Sequence, residues 1–133
     1  MVDRGSPLRV RIIAGSRKGA RIFAPKNETR PTGDRVREAA FNLIGPVDEM
    51  AVLDLFAGSG AMGLEALSRG AASAVFVESD RDAQRTIERG RARCGAGRGV
   101  RQAVAYDGWL LVSNAPSRSA AKRASSVAIS GTD

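Results

Sequence analysis

The stretch VLDLFAGSGAMGLEALSRG, residues 52–70, constrains this chain more than any other. Val52, Leu53, Leu55 and Phe56 read as a buried strand over 51–56. Small residues then make a turn, and an apolar helix over 61–69 is closed by Gly70. Asp54 stands inside the apolar run, and a carboxylate is costly to desolvate unless something pairs with it. Gly58, Gly60 and Gly63 satisfy G-x-G-x-x-G, and Glu78 follows Gly58 by twenty residues. That spacing also fits a dinucleotide fingerprint, in which an acid after the second strand grips a ribose.

The flanking sequence supplies the units such a motif needs. SAVFVE, residues 73–78, predicts a second strand, and residues of about 81–94 a polar helix weakened by Gly90. VRQAVAYDGWLLV holds a candidate third strand ending near Asp107. Strand and helix in alternation predict a parallel α/β sheet. Upstream, RVRIIAGSRKGARIFAP, residues 9–25, reads as a hairpin with Arg17 and Lys18 at its tip. Pro31, Thr32 and Asp34 mark a helix start and Gly45-Pro46 its stop, with Val36, Ala39, Ala40, Leu43 and Ile44 on one face. Residues 113–133 are rich in serine and alanine without strand or helix period, so a disordered tail is expected over 111–133. The chain divides into a basic hairpin and helix (1–46), a cofactor-binding part (47–110) and that tail.

Charge is uneven along these parts. Residues 1–46 hold ten Lys/Arg against four Asp/Glu, whereas residues 47–110 hold eight against nine, within a chain of net charge +7. A basic arm ahead of a neutral domain suits a polyanion such as RNA, because phosphate contacts supply most sequence-independent affinity. Histidine is absent and Cys94 is the one cysteine. That excludes an internal disulfide, a Cys/His zinc cluster and any histidine-based triad, and a reducing cytoplasm is the compartment expected. No apolar run approaches the roughly 20 residues of a membrane span, and the N-terminus lacks a secretory signal.

S-adenosylmethionine accounts for both acids at once. Asp54 at the strand end suits the ammonium of its methionine end, and Glu78 its ribose hydroxyls. Ala57, Gly58, Ser59 and Gly60 let backbone approach the cofactor closely. The local alternative is that Asp54 caps the following helix, that Glu78 or Asp80 caps the next one, and that the glycines only turn the chain. A nicotinamide dinucleotide is the competing ligand, but Asp54 falls where dinucleotide-binding strands run apolar.

TRPTGDRVREAAFNLIG, VLDLFAGSGAMGLEALSRGA and VFVESDR, in this order and spacing, resemble the RsmD family of small-subunit ribosomal RNA guanine-N2 methyltransferases. The hairpin shares in the likeness, which covers residues 9 to about 82 densely and thins towards 107. The resemblance implies an α/β, Rossmann-like S-adenosylmethionine-dependent methyltransferase fold, preceded by a β-hairpin and a helix. It implies Asp54, Ala57, Gly58, Ser59, Gly60 and Glu78 as cofactor residues, with Asp107 placed to meet the adenine. Arg17, Lys18, Arg21, Arg30, Arg35 and Arg37 would face the RNA or help close the cofactor site. The implied partner is 16S ribosomal RNA or the small ribosomal subunit, with no metal.

Such a family aims a guanine amine with an Asp/Asn-Pro-Pro-Tyr/Phe turn after the fourth strand, and no such turn follows residue 107. NAPS, residues 114–117, matches it only at Asn114 and Pro116. The fold is therefore expected to be incomplete, with the strand at 51–56 left open on one edge and prone to self-association. A non-catalytic cofactor- or RNA-binding remnant is the second reading, and a nicotinamide-dependent oxidoreductase the third.

Overall fold

The computed structural model describes residues 9–25, 32–94, 101–104 and 126–130. Strand β1 (Arg9–Arg11) pairs antiparallel with β2 (Arg21–Phe23), setting Arg9 opposite Phe23, Val10 opposite Ile22 and Arg11 opposite Arg21. Because side chains alternate along a strand, Val10 and Ile22 turn inward and the arginines outward.

Helix α1 (Asp34–Ile44) begins after Gly33 and ends at Gly45, whose φ of 80° suits glycine. Its inward face differs from the stripe read in the sequence. Val36 and Leu43 are 61% and 89% exposed, while α1 buries Arg37 and Phe41. Helical spacing finds a stripe without saying which face meets a neighbour. Here the neighbours offer acceptors: Arg37 donates to the Thr32 carbonyl at 3.1 Å, to the Arg11 carbonyl and to Asp34 at 2.8 Å. The Arg69 guanidinium lies 4.6 Å from the centre of the Phe41 ring.

Strands β3 (Ala51–Leu55), β4 (Ser73–Glu78), β5 (Arg101–Val104) and β6 (Ser126–Ser130) form a parallel sheet in the order β5-β4-β3-β6. Helix α2 (Ala61–Ser68) joins β3 to β4, and α3 (Arg81–Arg93) follows β4. The result is a Rossmann-like α/β layer in which strand order reverses at β3. One core runs from the hairpin into the sheet, with Val10, Ile12 and Ile22 buried together with Leu64, Phe76 and Ile87.

β6 corrects two expectations. Residues 126–130 are not a disordered tail, and β3 is not open on that side, since β6 pairs with it in parallel from Ala51↔Ser126 to Leu55↔Ser130. SVAIS is too short and too rich in small residues to stand out from its surroundings, and its partner lies far away in sequence. With β3 paired on both sides, the edge that was to drive self-association does not exist there.

Gly63 sets how closely α2 approaches the sheet. A Cβ there would lie 2.4 Å from Cε1 of Phe76. Gly63→Ala is expected to lower stability by about 1–3 kcal/mol, as overpacked cores do. Urea unfolding measures it, and an unchanged midpoint would show that the Phe76 ring gives way freely.

Candidate cofactor site

The site is built where β3 and β4 end. Main chain from Phe56 to Gly60 carries β3 into α2, and Phe56, Gly58 and Gly60 have φ of 55°, 55° and 76°. A phenylalanine in the left-handed region is strained, which the surrounding loop must hold in place. Its ring is 66% exposed beside the loop. Sequence reasoning took Phe56 for the last strand residue; only its backbone angle sets it apart. Ala57 and Gly58 are half-buried, while Ser59 and Gly60 are buried.

Two acids hold this loop. Glu78 accepts from the Gly58 N–H at 2.7 Å and the Asp80 N–H at 2.9 Å, so the end of β4 clamps the glycine turn. The Ala57 N–H also donates to the Val77 carbonyl at 3.0 Å. Asp54 is 1% exposed, and its Oδ2 accepts from the Gly63 N–H at 2.9 Å. The local role weighed for Asp54, tying down the next helix, is thus filled by one oxygen. The other, Oδ1, is buried without a hydrogen-bond partner. Desolvation raises the Asp54 pKa to about 8 against the pull of the Gly63 N–H, and the charge of Glu78 adds to the rise. At α3, Asp80 takes the capping role, accepting from Ala83 at 2.8 Å.

The structure therefore brings Asp54, Ala57, Gly58, Ser59, Gly60 and Glu78 to one loop, at the crevice where strand order reverses. Asp107, Asn114, Pro116 and Arg30 lie outside the described residues. Asn114 and Pro116 precede β6 in the chain, whereas the turn they faintly echo would follow it.

The basic residues separate. Arg17, Lys18, Arg21 and Arg35 are exposed. Arg37 has no exposed surface, its hydrogen bonds go to protein acceptors, and burial pulls its pKa down against the charges of Asp34 and Glu65. Arg37 is thus removed from any RNA face and serves the fold. What holds the hairpin was not legible in the sequence. Glu65 on α2, fully buried, accepts from the Ile13 and Ala14 N–H groups at 2.8 and 3.0 Å and from Arg69 at 2.9 Å. Ser68 donates to the Ala14 carbonyl at 2.6 Å and accepts from the Arg17 N–H at 2.9 Å. At Gly15, where φ is +85°, a Cβ would lie 1.8 Å from the Ser68 carbonyl oxygen.

Among the described residues no group of three His, Cys, Asp or Glu side chains could hold a metal ion, and no helix is long and apolar enough to cross a membrane.

Comparison with known proteins places this geometry. The sequence of Ribosomal RNA small subunit methyltransferase D from Escherichia coli (strain K12) is 47% identical over 90 residues, covering 66% of this chain and 46% of that protein. The protein of the same name from Haemophilus influenzae is 49% identical over 74 residues, covering 54% of this chain and 38% of the relative. This chain thus spans about half the length of the curated relatives it matches. The solved structure of the Escherichia coli protein yhhF superimposes with a TM-score of 0.64 at 42% identity, over 71% of this chain and 51% of that one. Precorrin-6y C5,15-methyltransferase from Geobacter metallireducens GS-15, at 20% identity, TM-score 0.55 and coverage of 64% and 44%, shares the fold alone. The family described as Conserved hypothetical protein 95 matches residues 10–121, and the chain belongs to it, the RsmD family of methyltransferases.

Proposed function

We propose that this chain carries the cofactor-binding part of an S-adenosylmethionine-dependent methyltransferase, acting on the exocyclic N2 of a guanine in small-subunit ribosomal RNA. The observation that carries the reading is the buried, unpartnered Oδ1 of Asp54 beneath a glycine turn that Glu78 clamps. A buried acceptor without a partner fits the ammonium of the cofactor's methionine end. Glu78 spends one lone pair per oxygen on the main chain, and a carboxylate has about four acceptor positions, so ribose hydroxyls can be bound without releasing the loop. When bound, the cofactor supplies a sulfonium methyl for in-line transfer to an amine. A nicotinamide dinucleotide fits less well, because its pyrophosphate would bring negative charge towards Asp54 and Glu78.

The acceptor amine needs a positioning turn after the strand beside β3, and orientation of reactants supplies roughly 7–11 kcal/mol of barrier lowering. Calorimetry with S-adenosylhomocysteine tests the site: Glu78→Gln is expected to weaken binding about 10- to 100-fold, the worth of a charged hydrogen bond. Unchanged affinity, or preferential binding of NADH, would overturn the reading. Radiolabelled S-adenosylmethionine and small-subunit RNA test the chemistry, and transfer by this chain that vanishes with Asn114→Ala would restore NAPS as a working turn.

A further inference from the structure

Phe56 is held in the left-handed region, with φ of 55°, in a loop that places glycine at its other positive-φ positions, Gly58 and Gly60. Glycine takes that conformation freely, whereas a Cβ in it crowds the following carbonyl oxygen. A ring is therefore kept where a glycine would fold more easily. It does not serve the core. Phe76 is fully buried and Phe41 nearly so, but Phe56 is 66% exposed, directly after the C-terminal end of β3. Its surroundings differ as well. The Arg69 guanidinium lies over Phe41, and those of Arg9 and Arg93 lie over Phe23, whereas among the described residues no cation stands over Phe56. Backbone strain that packing does not repay is characteristic of ligand sites.

We infer that the Phe56 ring receives the sulfonium of the cofactor, so that the site tells loaded cofactor from spent cofactor by charge. This rests on the S-adenosylmethionine reading above and adds what lies between its two anchor points. A short carbon chain joins the sulfur of that molecule to the ammonium-bearing carbon, and a methylene joins it to the ribose. The ammonium partner is Asp54 Oδ1, and the ribose partner is Glu78, which is fastened to the Gly58 N–H. Phe56 falls midway along the main chain between Asp54 and Gly58, level with a sulfur strung between those ends. The face of an aromatic ring carries partial negative charge and attracts a cation.

Transfer moves the methyl to an amine nitrogen, which uses its lone pair and sheds a proton, while the electron pair of the broken carbon–sulfur bond stays on sulfur. The sulfonium thereby becomes a neutral thioether. A ring that attracts the cation but not the thioether favours entry of loaded cofactor and release of spent cofactor. Asp54 and Glu78 cannot make that distinction, because the ammonium and the ribose are the same in both molecules.

Calorimetry on the full chain with S-adenosylmethionine and, separately, with S-adenosylhomocysteine tests this, beside melting temperatures. Phe56→Leu, which keeps apolar bulk without a ring face, is expected to weaken S-adenosylmethionine binding about 5- to 30-fold and S-adenosylhomocysteine binding by less than about 3-fold. Phe56→Tyr, which keeps the ring face, should stay within about 2-fold of the parent for both. Phe56→Asn should lose S-adenosylmethionine affinity as the leucine variant does, yet melt about 2–6 °C above the parent, because asparagine tolerates the left-handed region. A parent that binds neither ligand would overturn the cofactor reading and this inference with it. A parent that binds both, beside a Phe56→Leu chain that loses both alike, would overturn this inference alone. So would a Phe56→Asn chain that melts below the parent, which would make the ring a support of the fold.

Discussion

An Asp54→Asn chain is expected to lose a pH dependence of stability that the parent shows between about pH 4 and pH 8. The folded-state pKa of Asp54 is raised from 3.8 to about 8, first by desolvation. Below the lower value both folded and unfolded chains hold the proton, and the contribution to stability is full. Between the two values the unfolded chain ionises while the folded one keeps its proton, so each pH unit removes about 1.4 kcal/mol. Above the upper value the contribution is gone, a loss on the order of 5 kcal/mol, comparable to the total stability of many domains. Asparagine keeps an acceptor for the Gly63 N–H but does not titrate. Calorimetric melting at pH 5 and pH 8 should show a marked fall for the parent and a much smaller one for the variant; equal falls would refute the assignment. The same carboxyl links pH to the ligand. On the proposed reading an ammonium at Oδ1 would stabilise the ionised form, so S-adenosylhomocysteine is expected to bind the parent more tightly at pH 8 than at pH 6 and the variant to lose that difference.

Glu65→Ala should be the most disruptive single change outside the glycine loop. It strands the Ile13 and Ala14 N–H groups and leaves Arg69 without its 2.9 Å partner. Removing one member of a buried charged pair costs about 3–5 kcal/mol. The damage is directional, because this carboxylate and Ser68 fasten the turn of the hairpin to α2. Urea denaturation should register the loss. Hydrogen exchange should show the Ile13 and Ala14 amides losing protection before the amides of β3. Protection retained in the variant would mean that the buried faces of Val10, Ile12 and Ile22 and the remaining contacts hold the hairpin without Glu65.

The central elements were legible because their signals are local. The apolar run at Ala51–Leu55, the glycines before α2 and the apolar, β-branched run of SAVFVE each decide their own conformation. The glycine loop between β3 and α2 was legible for the same reason, since its acids and glycines sit at fixed spacing. Arg37 was misjudged because an arginine in a basic segment reads as a surface cation until its neighbours are known, and those are main-chain carbonyls that no side-chain pattern records. Glu65 was passed over as one polar residue of an apolar helix; its partners are amides about fifty residues upstream. β6 was missed because its only strong commitment is to β3.

The order of pairing within the sheet also sets an order in time. β3 and β4 begin roughly 20 residues apart, whereas β3 and β6 begin roughly 75 apart. Loop-closure entropy grows as the logarithm of length, so joining β6 costs about 1 kcal/mol more than joining β4 before any contact rewards it. The β3–α2–β4 unit therefore assembles first and β6 arrives last, which makes the crevice beside β3 the latest part of the molecule to exist.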